Sequence, residues 1–149
     1  MVAFRFRLTQ LARLREAEEE MQRRLLQEKL AEARQAEQAW RVAEIQAREF
    51  SARVEQAEKQ GLTLADLQAH RRWFPRLNER VEESKQDWQQ AEQAANQQRD
   101  SFRQARQGSK ILENLQDRQK LIHRRQEQLA EQQAQDELAV QAWPRGGTR

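Results

Sequence analysis

Cysteine and tyrosine are absent from these 149 residues, and before Trp143 glycine and proline appear only as Gly61, Gly108 and Pro75. Each shortage removes a class of structure or chemistry. Without cysteine there is no disulfide framework, no thiolate nucleophile and no thiolate metal ligand, which agrees with a reducing cytosol. Without a glycine-rich loop there is no cradle for a nucleotide phosphate. No apolar run approaches the ~18–20 residues of a membrane span. The opening Met1-Val2-Ala3-Phe4-Arg5-Phe6-Arg7 has no apolar signal core behind it. The expectation is a soluble, cytosolic protein with no direct membrane insertion. Gly and Pro are also the residues that interrupt helices, so their scarcity leaves long stretches free to stay helical.

What fills the chain instead is Arg, Glu, Gln, Ala and Leu, residues that lose little rotamer freedom in a helix. Hydrophobic residues make up 37% and charged residues 34%, with a mean hydropathy of −1.16. That is too polar for a compact core, and it raises disorder as the first alternative. Two observations favour order. The net charge is only +3, so self-repulsion is weak, and the apolar residues recur in heptads, the pattern of a coiled coil.

The heptads are clearest at Ala33, Ala36, Trp40, Ala43, Ala47, Phe50, Val54 and Ala57, whose 3-4 spacing defines a seam facing a partner helix. Upstream, Phe4, Leu8, Leu11 and Leu14 shift the spacing, and Met21, Leu25, Leu26 and Leu30 lead back into the seam. Gly61 suits the residue just past a helix end, and Thr63 with Asp66 three residues on suits the start of the next helix. A turn this short forces an antiparallel hairpin. A second seam then runs through Leu67, Phe74, Val81, Ser84, Trp88, Ala91, Ala95, Phe102, Ala105 and Leu112.

The fold class expected is therefore all-α: an antiparallel two-helix coiled-coil hairpin with a longer second helix. It forms one domain over residues 1–149, with helix one at about 4–60, a turn at 61–63, helix two at about 64–142 and a frayed tail at 143–149. Folding about the turn puts Phe50 opposite Phe74, Trp88 opposite Ala36, Leu11 opposite Leu112 and Leu8 opposite Leu115, so that large residues meet small ones in the middle. At ~1.5 Å per residue, such a hairpin is on the order of 80 Å long. Pro75 removes a hydrogen-bond donor and predicts a kink or break just before it. Gly108 weakens helix two by roughly 1 kcal/mol without ending it.

No catalytic constellation emerges. His70 and His123 have no ligand-type partners at helical spacing and read as surface polar residues. Glu18-Glu19-Glu20 and Glu82-Glu83 read as solvated face charges. Neither an enzyme, nor a metal site, nor a cofactor is expected. Charge placement says more: residues 99–125 carry eight Lys/Arg against three Asp/Glu, whereas 126–142 carry four acids and no base. With Arg5, Arg7, Arg13 and Arg15 alongside, the open end of the hairpin is basic and is followed by an acidic tip. A solvated face is the plain reading. Nucleic acid would use such a patch for phosphates, but stacking aromatics are missing apart from Phe102, and the acidic extension repels a phosphate backbone. A mixed-sign end suits a protein surface better. Trp73, beside Phe74 and Pro75, lies off the main seam, either as a contact anchor or as local packing.

Three stretches together resemble the flagellar type III export protein FliJ family. They are Phe4-Arg5-Phe6-Arg7-Leu8 with Leu11-Ala12-Arg13-Leu14-Arg15-Glu16, then Gly61-Leu62-Thr63-Leu64-Ala65-Asp66-Leu67, and then Leu112-Glu113-Asn114-Leu115-Gln116-Asp117-Arg118-Gln119 with Asp136-Glu137-Leu138-Ala139. The resemblance implies a non-enzymatic stalk, similar to the central stalk of rotary ATPases. Such a stalk inserts into the hexameric export ATPase ring, promotes its assembly and activity, couples it to the export gate membrane protein, and handles export chaperones. It also implies a cytoplasmic location, peripheral at the inner membrane through the export apparatus. Contacts to the ring are expected near the open end, at Arg13, Arg15, Arg106, Lys110, Gln116, Arg118 and Arg124. Contacts to the gate are expected at Phe50, Trp73, Phe74 and Leu77, with Pro75 a departure from the family pattern. The alternatives are the equivalent injectisome stalk and a generic homodimeric coiled-coil tether.

Overall fold

The computed structural model describes residues 3–143. The remainder of the tail expected at 143–149 lies outside the described residues. The described chain is all-helical, with α1 at Thr9–Gln60 and α2 at Leu64–Ala142. The chain divides into two compact units, Met1–Glu18 with Ala105–Arg149, and Glu19–Gln104.

In the Glu19–Gln104 unit, Gly61 ends α1 with φ of 93°, a left-handed conformation that only glycine adopts without steric cost. Thr63 then caps α2. Its carbonyl accepts the first helical bond from the Leu67 amide at 3.1 Å. Its hydroxyl accepts from the Asp66 amide at 3.3 Å and donates to the Asp66 carboxylate at 2.7 Å. The two arms run antiparallel: Phe50 meets His70, Trp40 meets Trp88, and Gln22 meets Gln98. Every α1 residue from Ala33 to Val54 expected on the seam, and Ala57 after it, is half-buried or buried. Ala43 and Ala95 are the buried ones, small side chains where the backbones come close.

Three expectations about the seam need correction. Trp88 does not face a small residue alone; its indole stacks on Trp40 with centroids 4.9 Å apart and planes 8° from parallel. Ala36 and Ser84, opposite the two indoles in the expected register, are too small to fill their layers, and the two rings share that space. Phe50 packs edge-on against His70 at 5.5 Å, while Phe74 stays 47% exposed. At 100° per residue, His70, Leu77 and Trp88 fall within roughly 20° of one another, and Phe74 lies roughly 40° outside them. His70 is thus a seam residue, not a surface one. Met21 is exposed because its neighbour Gln22 occupies the seam, where the Gln98 side-chain amide donates to the Gln22 side chain at 2.5 Å and to its carbonyl at 3.3 Å.

Pro75 does not break α2, which continues through it. The missing N–H deprives the Arg71 carbonyl of its helical donor, and exposure of Arg71 lets water serve instead.

In the other unit, α1 begins at Thr9, later than position 4. The preceding segment is not helical: Phe4 is half-buried and Phe6 is buried, while Arg5 and Arg7 are exposed. This alternation is the period of an extended chain. Thr9 closes the segment, its hydroxyl donating to the Phe6 carbonyl at 2.6 Å. The Phe4 ring meets His123 at 5.6 Å, so His123 also belongs to the packed face. Leu112 is buried, Leu115 half-buried, and Leu14 exposed rather than on the seam.

Every Lys/Arg ion pair among the described residues joins positions three or four apart on one helix. Such pairs support helix formation by a few tenths of a kcal/mol each. In the Glu19–Gln104 unit the two arms are therefore joined by apolar and aromatic contact, by the Gln22–Gln98 hydrogen bonds and by the Arg23 guanidinium 5.7 Å from the Phe102 ring centroid, not by ion pairs among the described residues.

The two glycines predict opposite outcomes on substitution. Gly108→Ala should stabilise by about 1 kcal/mol, because helix propensity improves and the added Cβ meets only the Arg15 side chain at 3.7 Å. Gly61→Ala should destabilise by about 1–2 kcal/mol through left-handed strain, although open space surrounds it. Paired thermal melts followed by circular dichroism check both signs.

Candidate partner-binding surfaces

The first surface belongs to the unit containing both ends of the chain. Here Arg13, Arg15, Arg106, Lys110, Arg118 and Arg124 are exposed, as expected for a contact surface, whereas Gln116 is half-buried. Gln116 shares the half-buried face with Leu112, Leu115 and Gln119, since three to four residues make one helical turn. Arg15 pairs with Glu18 at 3.1 Å, and Lys110 with Glu113 at 3.9 Å. Among the described residues, Arg13, Arg106, Arg118 and Arg124 make no ion pair, so their guanidinium groups remain available to an acidic partner. His123 also meets Glu127, at 3.1 Å from its Nε2. Beyond Glu127 every described residue is exposed, so α2 continues there as an uncovered helix.

The second surface lies near the turn. A groove of about 590 Å³ is lined by Phe50, Val54, Leu67, His70, Phe74 and Pro75, with Glu55, Glu58 and Arg71 at its rim. Trp73 stands outside it, 51% exposed, with the Arg76 guanidinium 5.5 Å from its ring centroid. Leu77 is half-buried. Phe50 and Phe74 thus share one groove, while Trp73 and Leu77 are not among its lining residues. His70 Nδ1 is buried without a hydrogen-bond partner among the described residues.

Sequence reasoning missed Phe6 and both histidines. The Phe-Arg-Phe-Arg alternation at positions 4–7 was the available signal for an extended start. The histidines carried a weaker one: a helical wheel places His70 with Leu77 and Trp88.

Among the described residues no group of three or more His, Cys, Asp or Glu gathers as metal ligands, and no described helix is long and apolar enough to cross a membrane. Both surfaces are open, the first carrying charge and the second aromatic area.

No curated protein and no solved structure matches the chain. The family model of the flagellar FliJ protein matches residues 4–148, nearly the whole chain. With its helical hairpin, this chain belongs to the FliJ family, a non-catalytic component of flagellar type III protein export.

Proposed function

We propose that the chain is the stalk of the flagellar export apparatus. Its basic end enters the hexameric export ATPase ring, promotes ring assembly and ATP hydrolysis, and couples the ring to the export gate membrane protein. It works in the cytoplasm, held at the inner membrane through the apparatus, and also handles export chaperones. The observation that carries this reading is the set of exposed arginines that make no ion pair among the described residues, Arg13, Arg106, Arg118 and Arg124, on the unit that holds the start of α1. Free guanidinium groups suit acidic loops in a lumen, where charge sets docking rate and orientation. The groove at Phe50 and Phe74, with Trp73 beside it, suits the gate, because aromatic anchors dominate protein contacts.

The family match is to a flagellar protein, which favours this over an injectisome stalk. A tether of two straight helices is disfavoured, because the turn at Gly61 closes the hairpin within one chain.

The absence of cysteine makes the test clean, since every thiol is an introduced one. A cysteine-reactive photocrosslinker at Arg118→Cys should capture the ATPase, and one at Glu58→Cys should capture the gate protein. Capture of the ATPase from Glu58→Cys alone would reverse the assignment of the two surfaces.

A further inference from the structure

From Arg71 to Arg80 the chain carries four arginines and one acid, Glu79. Three of them, Arg72, Arg76 and Arg80, stand four residues apart and form a ladder along one side of α2, spanning about 12 Å. All three are exposed, and none makes an ion pair among the described residues. At 100° per residue Arg76 lies roughly 100–120° around the helix from the seam residues His70, Leu77 and Trp88, so hairpin packing does not call for the ladder. Like charges four residues apart destabilise a helix, and Pro75 already removes a hydrogen bond from the same turns. The ladder therefore weakens α2 where it stands.

Arg76 also passes over a partner within reach. Glu79 is three residues on, the spacing at which Arg15, Lys29 and Lys110 find their carboxylates. Arg76 instead holds its guanidinium 5.5 Å from the Trp73 ring centroid. Ring and cation fix each other in place beside two further guanidinium groups. Trp73 is 51% exposed, and a tryptophan set among arginines has the composition of a binding hot spot.

The ladder selects its partner by charge. Guanidinium groups are planar forks that take carboxylates or phosphates two hydrogen bonds at a time. A bilayer or a nucleic acid presents phosphates over a wide area, and here it would meet acids as well. Glu79 and Glu83 lie within roughly 60° of Arg76, and residues 79–92 hold five acids against two bases. A short protein segment meets the ladder alone. Successive arginines are about 6 Å apart along the axis, the spacing of carboxylates one turn apart on a partner helix.

We propose that Arg72, Arg76 and Arg80, with Trp73 as the anchor, bind an acidic helix of the export gate protein whose carboxylates are spaced one turn apart. This rests on the gate reading of the turn-proximal end, and it specifies the chemistry of the gate's side of the contact.

Calorimetry of the full chain with the gate protein in a neutral detergent, at low and high ionic strength, tests it. The parent should bind more tightly at low ionic strength. Arg72→Gln, Arg76→Gln and Arg80→Gln together should weaken binding by about tenfold or more at low ionic strength and remove most of the salt dependence. Glu79→Gln should tighten binding, because it removes an acid that repels the partner's carboxylates. Circular dichroism controls for helicity. Arg72→Gln alone, which leaves the Arg76–Trp73 contact in place, should give a smaller loss in the same direction and serves if the triple variant loses helix. Unchanged affinity in the arginine variants, or weaker binding with Glu79→Gln, overturns the proposal and leaves the gate assignment standing. Equal binding to phosphatidylglycerol vesicles without the gate protein overturns it in favour of a lipid surface. No binding by the parent removes the gate assignment and this inference with it.

Discussion

Trp40→Ala should lower the thermal midpoint by about 4–12 °C, the largest change expected from any single substitution in the seam. Truncating a fully buried aromatic costs ~3–5 kcal/mol, and a half-buried one in a two-helix seam about 2–3 kcal/mol. For a chain of this size each kcal/mol is worth about 2–4 °C. The loss combines apolar area with the stacking of two parallel indoles 4.9 Å apart. Opposite residues do not compensate, because Ala36 and Ser84 are too small to close the gap. Trp73→Ala should change the midpoint by about 1–2 °C at most, since Trp73 is half exposed and its contact with Arg76 is worth about 0.5 kcal/mol at an exposed site. Melts of the two variants followed at 222 nm decide the matter. Equal losses would place Trp40 outside the seam that holds the hairpin together.

Much of this was legible in the sequence because a two-helix protein has few ways to fold. Scarce Gly and Pro leave long helices, and the strict spacing from Ala33 to Ala57 fixes which face of α1 is covered. Gly61 and Thr63 fix where the chain turns. What was not legible depended on details finer than spacing. Heptad counting treats a seam position as one residue wide, so it put Phe74 where His70 sits, although the two differ by roughly 40° around the helix. It also placed Leu14 and Met21 on the seam by hydrophobicity alone. In the structure Gln22 and Gln98 satisfy each other inside that seam, and Met21 is displaced to solvent. Phe4 and Phe6 were absorbed into a helix because a helical pattern followed them, although their own period is two.

The exposure of the candidate residues was legible in part for a related reason. Charge is readable without coordinates, and Arg13, Arg106, Arg118 and Arg124 are exposed as the charge pattern implied. Which side chains pair was not readable from spacing: Arg13 has Glu16 and Arg124 has Glu127 three residues on, yet among the described residues only Arg15 and Lys110 of these six make an ion pair. Gln116 carries no charge to keep it outward, and it turns toward the covered face.

The second large effect concerns the basic end. Arg118→Glu with Arg124→Glu should raise the stalk concentration needed for half-maximal stimulation of the export ATPase by about tenfold or more at low ionic strength. Both residues are exposed on α2, so helix packing should survive the change. The attraction proposed between the basic end and the ring is screened over ~10 Å at 0.1 M salt, so the gap between variant and parent should narrow as salt rises. The decisive measurement is ATP hydrolysis by the purified ring against stalk concentration for both proteins, at low and high ionic strength, beside a circular-dichroism melt. The account predicts a salt-sensitive loss of stimulation with unchanged helicity. Unchanged stimulation with unchanged helicity would contradict it and remove the basic end from the mechanism.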